Sequence, residues 1–86
     1  MPYQILMRRQ ARKKLQSLPR NARVRLSEKI NQLGQNPDDP ALDTKPLSGV
    51  PLHRLRVGDW RIIYDRQDAL RIVAIEMIKP RGDAYK

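Results

Sequence analysis

The sequence contains no cysteine, one histidine and nine acidic residues, and it has no apolar run approaching the roughly 18 residues of a membrane span. Without cysteine there can be no disulfide scaffold, no thiolate metal site and no cysteine nucleophile, and the composition suits a reducing compartment. A single imidazole, His53, argues against a zinc site. Met1, Pro2 and Tyr3 lead directly into structure-like sequence, with none of the segments of a signal peptide, so a cytoplasmic chain with no membrane partner is expected. The nucleotide-binding patterns GxGxxG and GxxxxGK[ST] are missing, as are HExxH and any run of carboxylates suited to Mg²⁺. No cofactor and no metal are expected.

Positive charge is what the chain has in excess. Eighteen Lys and Arg give a formal charge of +9 over 86 residues, a length that holds one domain, 1–86. The 40% hydrophobic residues suffice for one small core. Nine of the cations fall in residues 1–36 beside a single acid, Glu28; residues 54–86 carry eight more, interleaved with five acids. A field of this sign attracts polyanions such as RNA, DNA or an acidic protein. The plainer alternative is a solvated basic surface that serves solubility.

Hydrophobic spacing orders the elements. Tyr3 to Met7 is a short apolar run suited to a strand. Ala11, Leu15 and Leu18 then form one helical stripe, Pro19 interrupts, and Ala22, Leu26, Ile30 and Leu33 form a second stripe with Val24 off it. Gly34 and Asn36-Pro37 are expected to end this second helix. Residues 37–51, with four prolines, read as a connection lacking regular structure over most of its length. Period-two alternation follows in 52–57, a Gly58-Asp59 turn, a strand from Trp60 to Asp65, a turn at Gln67-Asp68 and a long strand from Leu70 to Ile78. In that last strand, strict alternation sets Arg71, Val73, Ile75 and Met77 on one face.

The expected fold is therefore α+β: a small, antiparallel-rich four-stranded sheet with an N-terminal α-helical hairpin packed on one face. Alternation has a functional consequence. If Leu55, Val57, Trp60, Ile62 and Tyr64 face the helices, Arg54, Arg56 and Arg61 project from the other face as a preformed anion site. The competing reading pairs these arginines with Asp65 and Glu76 as ordinary cross-strand salt bridges. Lys79, Arg81 and Lys86, with Tyr85, add cations and an aromatic face suited to stacking a base while holding its phosphate. Arg, Lys, Tyr and one His suit RNA transesterification, in which the substrate's own 2′-OH attacks and guanidiniums stabilise the charge gathering on the phosphate.

The run His53-Arg54-Leu55-Arg56-Val57-Gly58-Asp59-Trp60-Arg61-Ile62-Ile63-Tyr64 resembles the "YRLRVGDYRVIY" motif of the RelE/ParE superfamily of toxins from toxin–antitoxin systems, on its RelE side. The tail Pro80-Arg81-Gly82-Asp83-Ala84-Tyr85-Lys86 is similar to that family's "HRKDVYR", with Pro80 in place of His, and Leu47-Ser48-Gly49 resembles the preceding "L-x-G". The resemblance covers nearly the whole chain. It implies a RelE-like fold and a ribosome-dependent mRNA endonuclease that cuts A-site codons and halts translation. It also implies a cognate acidic RelB-like antitoxin, contact with the ribosome, and operator DNA reached only through the antitoxin complex.

Residue by residue, the resemblance makes Arg61 the group that stabilises the scissile phosphate, Arg81 a contact to that phosphate or to the leaving group, and Tyr85 a stack on the cut nucleotide. Arg54 stands where the best-studied active members carry Lys, and Leu52 where they carry a second Lys. Because Arg remains charged, the proton acceptor is open between Lys79, Tyr85 and His53, and alternation turns His53 toward the helices. Arg56, Lys79, Lys86, Arg12 and Lys13 are the expected RNA contacts, and the helical basic block as a whole suits ribosomal RNA. Two other functions remain open: a ParE-like inhibitor of DNA gyrase, and a non-catalytic nucleic-acid-binding module.

Overall fold

The computed structural model describes residues 2–80. Seven elements follow in chain order: β1 (Gln4–Met7), α1 (Arg9–Ser17), α2 (Arg20–Gln35), β2 (Asp43–Pro46), β3 (His53–Val57), β4 (Trp60–Gln67) and β5 (Ile72–Pro80). They form one sheet ordered β1-β5-β4-β3-β2, with β1 parallel to β5 and the other neighbours antiparallel. The α+β class and helical hairpin match the sequence reading. The strand number does not: there are five strands, because Asp43–Pro46 adds an edge strand to β3 inside the expected connection. Proline density hid it. Pro46 sits at the end of an edge strand, where a missing N–H removes no essential ladder bond.

Both helices lie on one face. Their stripes meet the inward residues of the sheet, so that Ala11, Leu18, Leu26, Ile30 and Leu33 share a core with Leu55, Val57, Ile62, Tyr64, Val73, Ile75 and Ile78. Leu15, Ala22 and Trp60 pack at its margin and Val24 is exposed, as the spacing predicts. Pro19 separates the helices by acting as the N-cap of α2, its carbonyl accepting the Arg23 N–H at 2.9 Å.

Gly34 departs from its expected role. It does not end α2 but lies buried inside the helix against β1, where its carbonyl accepts the Tyr3 N–H at 2.6 Å. A Cβ there would stand 2.9 Å from Ile5 Cδ1 and 3.3 Å from the Tyr3 carbonyl oxygen, so glycine permits the close approach of helix and strand. Asn36, in extended conformation before Pro37, closes the helix.

At the far end of the sheet one arginine binds three segments. Arg66 forks onto Asp38 at 2.7 and 2.9 Å, donates to Asp68 at 2.6 Å and lies over the Tyr3 ring, whose hydroxyl donates to Asp68 at 2.8 Å. The guanidinium holds both carboxyls below the usual carboxylate range.

Candidate nucleic-acid interface

The face opposite the helices is built by the register of three strands. Arg56 pairs with Arg61 across β3 and β4, and Arg61 pairs with Lys79 across β4 and β5. Paired residues of an antiparallel ladder share a face, so Lys79, Arg61 and Arg56 form one row across the sheet. With strands about 4.8 Å apart, the row spans roughly 10 Å. Asp43 on β2, opposite Arg56, ends it.

Lys79 reaches this face through a bulge that strict alternation cannot foresee. Ile63 pairs with Met77 while Tyr64 pairs with Ile75, leaving Glu76 as an extra residue in β5. The alternation therefore changes phase at Glu76. Val73, Ile75 and Ile78 enter the core, and Met77 joins Lys79 and Arg61 on the outer face. The sequence expectation that Met77 shares a face with Val73 and Ile75 is corrected accordingly. Glu76 is held by the entry to α1: its carboxylate accepts from Arg8 Nε at 3.1 Å and its carbonyl from Gln10 Nε2 at 3.0 Å.

Arg61 and Lys79 line a groove of about 220 Å³ whose walls are Leu47, Val50, Leu52, Ile63 and Met77. The combination of cations and apolar side chains fits an anionic group joined to a flat apolar one. Arg61 is 6% exposed and Arg54 8% exposed, so both guanidiniums are taken largely out of water and act through a lower dielectric than surface cations. Arg54 is fixed by Asp43, donating to its carboxylate and its carbonyl, each at 3.3 Å. The expected acid partners lie elsewhere: Glu76 binds Arg8, and the Asp65 carboxylate accepts from Gln67 at 3.0 Å.

His53 lies on the helix side, as alternation requires. Its ring stacks on Tyr64 at 5.4 Å between centroids and 19° between planes, and its Nδ1 is buried with no hydrogen-bond partner among the described residues. The sheet thus separates His53 from the Lys79–Arg61–Arg56 row. Burial also pushes the Tyr64 hydroxyl up from its ordinary value. Arg12 and Lys13 are exposed on α1, in the helical layer, while Lys14 sits 5.8 Å from the Trp60 ring centroid. Arg81, Tyr85 and Lys86 lie outside the described residues. Sequence reasoning missed Asp43 and the apolar wall from the 47–52 loop, for neither carries a periodic signal. Among the described residues no group of three or more His, Cys, Asp or Glu side chains could hold a metal, and no helix is long and apolar enough to cross a membrane.

Residues 5–85 match the family model described as the ParE toxin of the type II toxin–antitoxin system parDE. Among solved structures, the chain is similar to the archaeal RelE of a RelE–RelB complex from Pyrococcus horikoshii OT3, at 33% identity and a TM-score of 0.83 over 96% of this chain and 99% of that one. It is similar to a chain of the toxin–antitoxin complex RelBE2 from Mycobacterium tuberculosis at 25% identity and a TM-score of 0.81, over 94% and 100% of the two chains. A mutant of the E. coli toxin RelE in the free state shares the fold at a TM-score of 0.78 and 20% identity, over 99% of this chain and 88% of that one. No curated protein matches the chain.

Proposed function

The chain belongs to the RelE/ParE superfamily, toxins of type II toxin–antitoxin systems, and from that premise we propose that it is an endoribonuclease that cuts mRNA in the ribosomal A site without a metal ion. The observation that carries this reading is the row of Lys79, Arg61 and Arg56 on one face, with buried Arg61 at its centre and an apolar groove beside it.

In the proposed reaction the 2′-OH of the bound nucleotide attacks the adjacent phosphorus, forming a 2′,3′-cyclic phosphate and releasing the 5′-oxygen of the next nucleotide. Charge grows on the non-bridging oxygens as the transition state forms. A guanidinium held in a largely dry site stabilises that charge without having to reorganise at the moment of reaction. Arg61 takes this role, and Arg54, oriented by Asp43, extends the positive field. We assign proton exchange to Lys79, which pairs with Arg61 across the ladder, rather than to His53, which lies on the other side of the sheet. Arg81 at the phosphate or leaving group and Tyr85 stacked on the nucleotide complete the proposed set, and Lys86 contributes a phosphate contact.

The proposed partners are an acidic RelB-like antitoxin, the ribosome and, through the antitoxin complex, operator DNA. Structures of the similar RelE chains with RelB antitoxins support the first. Arg12 and Lys13, with the rest of the helical basic block, would meet ribosomal RNA, and the setting would be the cytoplasm. The match to a ParE toxin model leaves a second reading, the ParE-like inhibition of DNA gyrase, against which the presence of Arg61, Arg81 and Tyr85 argues. The two separate in one experiment. On induction, primer extension should show new mRNA ends within codons and in register with the reading frame, reproduced in vitro only with translating ribosomes, while purified gyrase supercoils plasmid normally. Blocked supercoiling with intact mRNA would replace the first reading with the second.

A further inference from the structure

Cations from the two faces of the sheet meet at one margin. Arg25 and Lys29 lie one turn apart on α2, and Arg56 stands near the end of β3; together they line a cleft of about 200 Å³ that also touches Gly58 and Asp43. Gly58 makes room for it. A Cβ at that position, which has φ +58°, would lie 3.0 Å from Arg25 Nη1, so the guanidinium rests against the bare turn. Among the described residues none of the three cations is in an ion pair, whereas the carboxylate of Asp43 is already engaged by Arg54 at 3.3 Å. The cleft carries three cations against one carboxylate, Asp43, already engaged by Arg54, and Lys29 is also attracted to Asp39, so the net charge that meets an entering anion is positive.

We propose that this cleft is a second phosphate site, and that it continues the Lys79–Arg61–Arg56 row so that single-stranded RNA crosses the sheet from β5 to β3 and turns around the Gly58 end toward α2. The identity of the polymer rests on the function proposed above. The path follows from charge. Asp43 is common to both routes, since it lies opposite Arg56 and also lines the cleft, but the hairpin end adds the cations Arg25 and Lys29.

The test uses the whole protein and a fluorescent hexauridylate, with binding measured over a range of salt concentrations and no ribosome present. Each phosphate contact to a single strand contributes about 0.7 to the slope of log affinity against log salt. The double variant Arg25→Gln/Lys29→Gln should therefore lower the slope by about 1.4. Arg71→Gln, which removes a charge at the turn before β5, should leave it at the wild-type value. A fall no larger in the double variant than in Arg71→Gln overturns the second site, because the cations would then act only through the general field. Inorganic phosphate titrated into the labelled wild-type protein gives an independent reading: the amides of Arg25, Arg56 and Gly58 should shift, and a response confined to Arg61 and Lys79 overturns the proposal. Cleavage on ribosomes combined with an unchanged slope would remove this inference alone. The expected slope without cleavage would remove the proposed function alone.

Discussion

Arg61 shows how one residue's role depends on what its neighbours exclude. Its guanidinium is buried at the centre of a face otherwise walled by Leu52, Ile63 and Met77, so its charge is less screened than that of the helical arginines. Arg61→Ala should reduce cleavage on ribosomes by about 10²–10³ with no loss of folded protein, as removal of one oxyanion donor does elsewhere. Arg61→Lys should recover only a small part, because an ammonium cannot offer the planar fork that meets two phosphate oxygens. The measurement is single-turnover cleavage beside a circular dichroism melt. Equal activity in Arg61→Ala and wild type would take the arginine face out of the mechanism. Gly34 makes the corresponding structural point: Gly34→Ala should destabilise the protein by about 1–3 kcal/mol through overpacking against Ile5 and the Tyr3 carbonyl, despite up to about 1 kcal/mol gained in helix propensity. Urea denaturation reads the net loss.

Among the elements, β5 departs furthest from its sequence pattern. Its extra residue, Glu76, supplies what α1 lacks, since the first turn of that helix has no acid and Arg8 at its N-cap has no side-chain cap. The Glu76 carboxylate reaches the N-cap arginine, bringing negative charge to the positive end of the helix dipole. Deleting Glu76 should leave every other side chain on its present face, because Ile63–Met77 and Tyr64–Ile75 would become consecutive pairs of an ordinary ladder. The expected cost is the contacts to Arg8 and Gln10, about 1–2 kcal/mol. Deleting Ala74, which is paired with Asp65, would instead reverse the facing of one half of the strand and should abolish cooperative unfolding. Heteronuclear NMR of the two deletions distinguishes these outcomes; a collapsed spectrum for the Glu76 deletion would mean that the bulge is required for the fold.

For the whole molecule, the Arg66 network links the 36–42 connection, the end of β4, the following turn and the residue before β1. Asp38 and Asp68 titrate below their ordinary values in the folded protein, chiefly through hydrogen bonds from Arg66. Their stabilisation is therefore complete above the unfolded carboxylate value of about 3.9 and is lost as pH falls through the lower folded values. Arg66→Ala should melt at a lower temperature than wild type at pH 6, and the two melting temperatures should draw together as pH falls below about 3.9. A difference that persists in acid would assign the effect of Arg66 to packing over Tyr3 rather than to its carboxylate partners.

The sequence by itself determined the α+β class, the helical hairpin and the opposition of Leu55, Val57, Ile62 and Tyr64 to Arg54, Arg56 and Arg61, because each follows from a local period of 3.6 or 2. It also placed His53 on the helix side. Only the tertiary structure decided that Asp43–Pro46 is a strand, since an edge strand is defined by the partner that hydrogen-bonds to it and not by its own proline-rich composition. Likewise the bulge at Glu76, which carries Lys79 to the face of Arg61, depends on the pairing of two strands and leaves no mark in the alternation of either. The meeting of Arg25, Lys29 and Arg56 around Gly58 is of the same kind: helix and strand are fixed locally, but their cations come together only where the packed layers share an edge.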